Sequence, residues 1–278
     1  MLRTMITASN TLGQLQTKLD TIGNNIANSS THGYKAKQAT FQELLYQQYN
    51  NDKLDRTLRQ SPVGIRYGVG AHISQIQSNQ TQGALQTTNR DLDFAMTKEN
   101  QYFNILLQDG DGTRTAYTRQ GNFYASPIGN GNVMLVNGDG YPVGDANGNA
   151  ITFRDDVSGF SLSGEGTLNI NYNDGTSQQV ALGVTQITKP QVMEQLDGTY
   201  IALPNNLNEL GYAEGDILTE MQGADRAGIS MEAGMLEASN VNLSQEMTDL
   251  ISTQRSYQFN SRAVTIADQM LGLINGIR

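Results

Sequence analysis

The sequence has no cysteine and no tryptophan, and it has two histidines, His32 and His72. Without cysteine there is no disulfide scaffold, no thiolate nucleophile and no cysteine-held metal. Two histidines so far apart in the chain do not make a zinc site, which takes three or four converging ligands. Charge is also scarce. Asp, Glu, Lys and Arg make up 16% of the 278 residues, where about a quarter is usual. The net charge of −9 argues against a nucleic-acid surface or an anionic membrane as partner. No apolar run approaches the ~18–20 residues of a membrane span. Arg3 is followed by Met5, Ile6 and Ala8 and then by polar spacing, so no cleavable secretory signal is expected.

Amides and turn formers fill the space: 26 Asn, 25 Gln and 29 Gly. They are unevenly placed. All five prolines lie between Pro62 and Pro204, and 24 of the glycines lie between residues 41 and 234. The two ends are therefore free to be long helices, and the middle reads as strands and turns. Charge divides the same way, at +3 over 1–40, −10 over 41–230 and −2 over 231–278.

At the N-terminus, Met5, Leu12, Leu19 and Ile26 recur every seven residues, with Ala8, Leu15 and Ile22 three later. This a/d seam predicts a helix over about 2–27 that packs on another helix. At the C-terminus, Leu243, Leu250, Tyr257, Val264 and Leu271 repeat every seven, with Met247 on the same seam and Gln254, Ser261 and Asp268 interrupting it. A second stripe follows through Phe259, Ala263, Ile266, Met270, Leu273 and Ile277. Asn242 with Gln245 resembles a capping box, which starts this helix near residue 243. A helix with two apolar stripes needs more than one partner. The simplest arrangement pairs the two terminal helices antiparallel and leaves the second stripe for neighbouring chains.

Tyr102–Gln108 and Thr113–Arg119 flank the turn sequence Asp109-Gly110-Asp111-Gly112, a hairpin signal. Leu168, Ile170 and Tyr172 lead into Asn173-Asp174-Gly175, and Val180, Leu182 and Val184 continue beyond it. Further tight turns are expected at Asn137–Gly140 and Asn147–Asn149. Phe41, Leu44, Leu45 and Tyr49 allow a short helix, and Asn50–Gln60 reads as a loop or extended arm. The expected fold class is α+β: long terminal helices in an antiparallel coiled-coil pair, and a central antiparallel all-β domain, a barrel or sandwich. The corresponding segments are 1–34 (helix and signature), 35–80 (connector with arm), 81–222 (β domain), 223–240 (return connector) and 241–278 (C-terminal helix).

Catalytic and metal-binding readings are weak. Asp145, Asn147, Asn149 and Asp156 stand at EF-hand-like offsets, but Ala150 occupies the glycine position and the bidentate Glu is missing. A structural turn explains them better, as hairpin geometry explains Asp109 and Asp111. Asp155, Asp156 and Glu165 could form a glycosidase pair in principle, yet nothing places two of them across a cleft. No metal ligands, no cofactor site and no catalytic residues are therefore expected. Asn24, Asn25 and Asn28 are helix caps on the bland reading; on a functional one they lock a helix interface by buried amide hydrogen bonds.

The segment Asn24-Asn25-Ile26-Ala27-Asn28-Ser29-Ser30-Thr31-His32-Gly33-Tyr34-Lys35 resembles the N-terminal signature of the flagellar rod, hook and hook-junction proteins. Gly234-Met235-Leu236-Glu237-Ala238-Ser239-Asn240-Val241-Asn242, Gln254–Tyr257 and Asp268–Leu271 are similar to the family's C-terminal part. Phe41–Gln47, Gly68–Gly70, Gln82–Thr87, Asp91–Ala95 and Tyr117–Phe123 extend the likeness, which is nearest to the distal-rod members and weakest over 150–230. Glu99-Asn100-Gln101-Tyr102-Phe103 departs from the family's Gly-rich step. The resemblance implies a non-enzymatic structural subunit of the basal-body rod, a hollow drive shaft that carries torque from motor to hook. It implies export through the flagellar type III apparatus without a cleaved signal, and a place in the basal body. Its partners would be further copies of itself in a helical polymer and other rod and hook proteins. On this reading the interface residues are Met5, Leu12, Leu15, Leu19, Ile22, Asn24, Asn25, Ile26, Asn28, Leu243, Met247, Leu250, Tyr257, Val264, Ile266, Met270, Leu271 and Leu273. The segment 46–64 would brace one subunit on another. The alternatives are a hook or proximal-rod subunit or, outside the family, a secreted cell-wall binder with a coiled-coil stalk; a cell-wall hydrolase is weaker still.

Overall fold

Leu2–Ala27 is a 26-residue helix and Leu243–Gly276 a 34-residue helix, as the glycine- and proline-poor ends require. The second begins where Asn242 Oδ1 accepts a hydrogen bond from Gln245 N at 3.2 Å, satisfying one of the orphan donors of the first turn. These helices come from a computed structural model, which describes residues 2–43, 47–49, 65–67, 71–109, 112–196 and 198–276. The expected arm over 50–60, the brace over 46–64, the Gly110-Asp111 turn centre and Ile277 fall wholly or mainly outside the described residues.

The chain forms two compact units. The first comprises Met1–Ala27, Lys37–Gln77 and Asn242–Arg278. Besides the two helices, which pack on one another, it holds a strand pair, Lys37–Glu43 with Ala71–Ser78. It also holds a short antiparallel pair, Gln47–Tyr49 with Ile65–Tyr67. The helix allowed from Phe41 to Tyr49 is not formed: Phe41 and Tyr49 both lie in strands. Pairing with distant segments overrides the local apolar spacing. Thr40 Oγ1 donates to Gln75 O at 3.2 Å, and Gln14 Oε1 accepts from Ile73 N at 2.8 Å.

The second unit, Asn28–Ala36 with Ser78–Val241, is mainly β. Its largest sheet orders six antiparallel strands linearly: Glu194–Gln195, Ile201–Ala202, Gly112–Thr118, Gln101–Asp109, Val184–Ile187 and Leu218–Glu220. Two three-stranded sheets adjoin it in sequence. One joins Tyr124–Gly129, Asn132–Val136 and Thr152–Arg154; the other joins Val157–Ser163, Thr167–Tyr172 and Ser177–Ala181. The strands thus spread over several small sheets around a main core and a smaller cluster of Tyr102, Tyr117, Ile187 and Leu218, with short helical segments such as Glu214–Ile217 and Gly223–Gly228 between them. Phe94, Phe103, Phe123, Ile105, Leu135, Leu168, Ile170 and Leu182 are fully buried in that core. Phe103 meets Phe123 edge to face at 5.1 Å.

Both expected hairpins are present. Gln101–Asp109 pairs with Gly112–Thr118 in a register that sets Phe103 opposite Thr118. Thr167–Tyr172 pairs with Ser177–Ala181 around Gly175 at φ +79°. Val184 does not continue the second hairpin; it starts a strand opposite Phe103 in the large sheet. The change of sheet occurs at Gly183, where a Cβ would stand 2.7 Å from the carbonyl oxygens of Gly144 and Asp145. The departure at Glu99–Phe103 keeps a turn, because Asn100 takes φ +63°, a conformation asparagine tolerates better than most side chains. Asp145 is a turn residue: its Oδ1 accepts from the backbone N of Asn147 and of Asn149, each at 2.8 Å.

Candidate assembly surface and the junction of the terminal signatures

Burial along the N-terminal helix follows the seven-residue repeat. Leu15 and Ile22 are buried, and Met5, Leu12, Leu19 and Ile26 are half-buried. On the C-terminal helix, Leu250, Tyr257, Val264 and Leu271 are half-buried. Their companions are Glu246, Thr253, Asn260 and Ala267, of which Thr253 and Ala267 are buried. Together they run 246, 250, 253, 257, 260, 264, 267, 271, spaced 4, 3, 4, 3, 4, 3, 4. The seam therefore has no interruption over these residues, but Leu243 and Met247, which the seven-residue count assigns to it, lie off it and are exposed. Gln254, Ser261 and Asp268 stand on the exposed side, and small or polar residues take the positions the apolar count passes over.

The rest of the C-terminal helix exposes large apolar side chains. Leu243, Met247 and Ile251 follow one another four apart near its start, at 46%, 44% and 50% exposure. Phe259 (69%), Ile266 (54%), Met270 (38%), Leu273 (69%) and Ile274 (56%) line its later half. At about 100° per residue, the first group spans roughly 80° and the second lies roughly a further 40–140° around the axis. These are two distinct strips.

Within the signature, Asn25 joins a strand to the C-terminal helix. It is buried, and its Nδ2 donates to Lys37 O at 2.8 Å and to Glu246 Oε1 at 2.9 Å. Its Oδ1 accepts from Lys37 N at 2.9 Å. One side chain thus caps the start of a strand as a neighbouring strand would, and ties it to the C-terminal helix. Burial raises the Glu246 carboxyl above its ordinary range, and the Asn25 hydrogen bond opposes that rise. Burial likewise lowers the Lys37 ammonium. Asn24, exposed, donates to Asp20 O at 2.9 Å on its own helix. Asn28, in the second unit, accepts from Thr31 at both Oδ1 (3.2 Å) and its carbonyl (3.1 Å), closing the turn after the helix. Asn25 thus bridges elements, whereas these bonds of Asn24 and Asn28 close local turns.

Inside the second unit the two terminal signatures meet. Gly33 takes φ +70°, and a Cβ there would lie 2.6 Å from Gln120 N. Its own N donates to Glu237 O at 2.8 Å. Glu237, buried, accepts from Lys35 Nζ at 2.7 Å, from Gly83 N at 2.9 Å and from Arg119 Nε at 2.7 Å. Arg119 Nη1 donates to Lys98 O at 2.8 Å and Gln101 O at 2.7 Å. Burial lowers the Lys35 pKa, against the pull of Glu237. Tyr102, beside this group, is pushed up to about 12 by burial. In the sequence Lys35, Arg119 and Glu237 stand in three separate motifs, with nothing to connect them. The available signal was three lone charges of opposite sign in otherwise uncharged signatures.

Among the carboxylates that could form a glycosidase pair, Asp156 and Glu165 take structural roles. Asp156 accepts from Asn173 Nδ2 at 2.6 Å, and Glu165 takes φ +65°. Among the described residues, no group of three His, Asp or Glu side chains is placed to hold a metal ion. No described helix is long and apolar enough to cross a membrane.

Three family models match the chain: flagella basal body rod protein over residues 5–35, flagellar hook protein FlgE/F/G D1 domain over 98–170, and flagellar basal body rod FlgEFG protein C-terminal over 232–277. The flagellar hook-basal body complex protein FlhP of Bacillus subtilis is 44% identical over 286 residues, covering 100% of both chains. The flagellar basal-body rod protein FlgG of the same organism is 32% identical over 272 residues, covering 98% of this chain and 97% of its own. FlgG of Borreliella burgdorferi is 31% identical over 283 residues, covering 100% and 99%.

Proposed function

The chain belongs to the flagellar basal-body rod and hook protein family and is a structural subunit of the rod; from that premise we propose that it polymerises through its terminal helices. The N- and C-terminal helices form an antiparallel coiled-coil pair, and the exposed strips of the C-terminal helix dock on neighbouring copies. The observation that carries this is the row of large apolar side chains along Leu243–Gly276, led by Phe259 and Leu273 at 69% exposure each. An exposed row of that size marks an interaction surface. Fully covering such a side chain contributes about 1.5–3 kcal/mol. The eight, at 38–69% exposure, contribute on the order of 6–13 kcal/mol before the cost of association. Two strips on different sides fit two different neighbours.

Several finer features belong to the same reading: the distal position in the rod, export through the flagellar type III apparatus without a cleaved signal, transmission of torque, and the absence of catalysis. The proposed interface set is that named from the sequence, with Phe259 and Ile251 added. A stalked cell-wall binder needs one oligomerising helix; the bond from Asn25 to Glu246, which joins the two terminal helices, favours the rod reading.

The test is assembly of the full-length protein, followed by sedimentation and electron microscopy. Phe259→Asp and Leu273→Asp should abolish polymers while leaving the helical circular dichroism of the monomer within about a tenth of wild type. Polymerisation at wild-type concentration by both variants would sink the reading.

A further inference from the structure

Glu237 and Asn240 serve three separate stretches of chain at once. The carboxylate of Glu237 holds Lys35, Gly83 and Arg119, and its carbonyl holds Gly33. Asn240 repeats the pattern with an amide. Its Oδ1 accepts from Ala36 N at 2.7 Å, and its Nδ2 donates to Asn79 O and Thr81 O, each at 2.9 Å. Asn79 N in turn donates to Ala36 O at 2.7 Å. A Cβ on Gly83 would stand 1.9 Å from Ala238 O, so the chain at 83 lies directly on the 237–240 segment. Beyond the Asn79–Ala36 bond and one from Lys35 Nζ to Thr81 O at 2.8 Å, these contacts of 33–36 and 79–83 run to residues some 200 and 160 positions later.

Without Glu237, Lys35 and Arg119 would face each other in the interior. Their side chains are 10% and 2% exposed. Glu99 also acts on Lys35, but as the weakest of the named charges. Two buried cations without their shared carboxylate do not hold a compact segment. The central hairpin Gln101–Asp109 with Gly112–Thr118 is different, because its ladder closes locally.

We propose that Glu237 and Asn240 form a completion latch: the N-terminal signature over 28–36 and the segment 79–84 become ordered when residues 237–240 dock, and not before. Order at the front of the chain then reports arrival of its back. A chain made N-terminus first keeps its signature open until residue 240 is available, while the central hairpins can already fold.

The test is amide hydrogen exchange by mass spectrometry on full-length Glu237→Gln, Asn240→Ala and the double variant Lys35→Met with Glu237→Gln. In Glu237→Gln, peptides covering 31–36 and 79–84 should exchange at least about a hundredfold faster, the scale of a broken buried pair, and in Asn240→Ala, which strands hydrogen-bonding groups but no charge, about tenfold faster or more. Peptides from 101–108 and 113–118 should stay within about threefold of wild type. The double variant should recover about tenfold at 31–36, because one of the two stranded cations is gone. Wild-type protection at 31–36 in both single variants would overturn the latch. So would parallel loss of protection across both hairpin strands, which would make these residues general supports of the unit. Should Glu237→Gln fail to fold, Asn240→Ala, which removes no charge, decides between the same outcomes.

Discussion

Replacing Asn25 with alanine removes at least three hydrogen bonds in one step: two to the Lys37 backbone and one to Glu246. Asn25 is 1% exposed, so water does not simply take its place. Each lost bond is worth about 1 kcal/mol net, and a buried donor or acceptor left without a partner costs about 1–3 kcal/mol. Lys37 N and O are the groups left behind. Alanine returns a few tenths of a kcal/mol in helix propensity. The balance is a loss of about 3–5 kcal/mol, a large part of the roughly 5–15 kcal/mol that holds an ordinary domain. The assay is urea unfolding followed by circular dichroism at 222 nm, which reads mainly the 26- and 34-residue helices. Gln16→Ala is the control, since Gln16 is exposed and bonds only Asp20 among the hydrogen bonds described, at 3.0 Å. The helical transition of Asn25→Ala should move to clearly lower urea while the control stays within about 0.5 kcal/mol. A change below about 1 kcal/mol for Asn25→Ala would refute the view that this amide fastens the helices.

Three further outcomes follow from the same geometry. The Glu246 carboxyl is raised in the folded state from its ordinary value of 4.5, so the folded unit holds that proton more tightly than the unfolded chain. Its contribution to helix-pair stability is greatest below 4.5 and declines as pH rises through the raised value; Glu246→Gln, which keeps the acceptor for Asn25, should flatten that decline in urea titrations across the window. Gly121→Ala would drive a Cβ to 1.8 Å from Phe94 O, and thermal unfolding should show a loss of about 2–4 kcal/mol. Arg226→Met withdraws donors from the carbonyls of Leu182, Glu165 and Gly166. It should cost about 2–4 kcal/mol and speed exchange at 164–168 more than at 132–136.

What could be seen in the sequence was local. The leucine repeat of the N-terminal helix, the Asn242 cap and the two glycine-centred hairpins are short-range signals, and each appears where its residues predict. The C-terminal seam was half visible, because Thr253, Asn260 and Ala267 carry no apolar signature, yet size and position seat them between Leu250, Tyr257 and Val264. Phe41 misleads for the opposite reason: its spacing is helical, but Ala71–Ser78 supplies a strand partner some thirty residues away. The union of Lys35, Arg119 and Glu237 spans the chain, and no periodicity in a single sequence encodes such a meeting. Gly183 hid the switch between sheets in the same way, since what it avoids are the carbonyls of Gly144 and Asp145.

The most direct test of the central claim uses the absence of cysteine. A single Leu273→Cys or Phe259→Cys places the only thiol of the chain on the exposed strip, whereas Thr253→Cys places it in the buried seam. Full-length protein would be labelled at that thiol with a short cross-linker whose other end is photoreactive toward any side chain, and irradiated dilute and after assembly. The account predicts copies cross-linked through positions 273 and 259 in the polymer, little or none in the dilute protein, and none through 253. Polymers that form normally yet show no cross-link at 273 or 259 would contradict it.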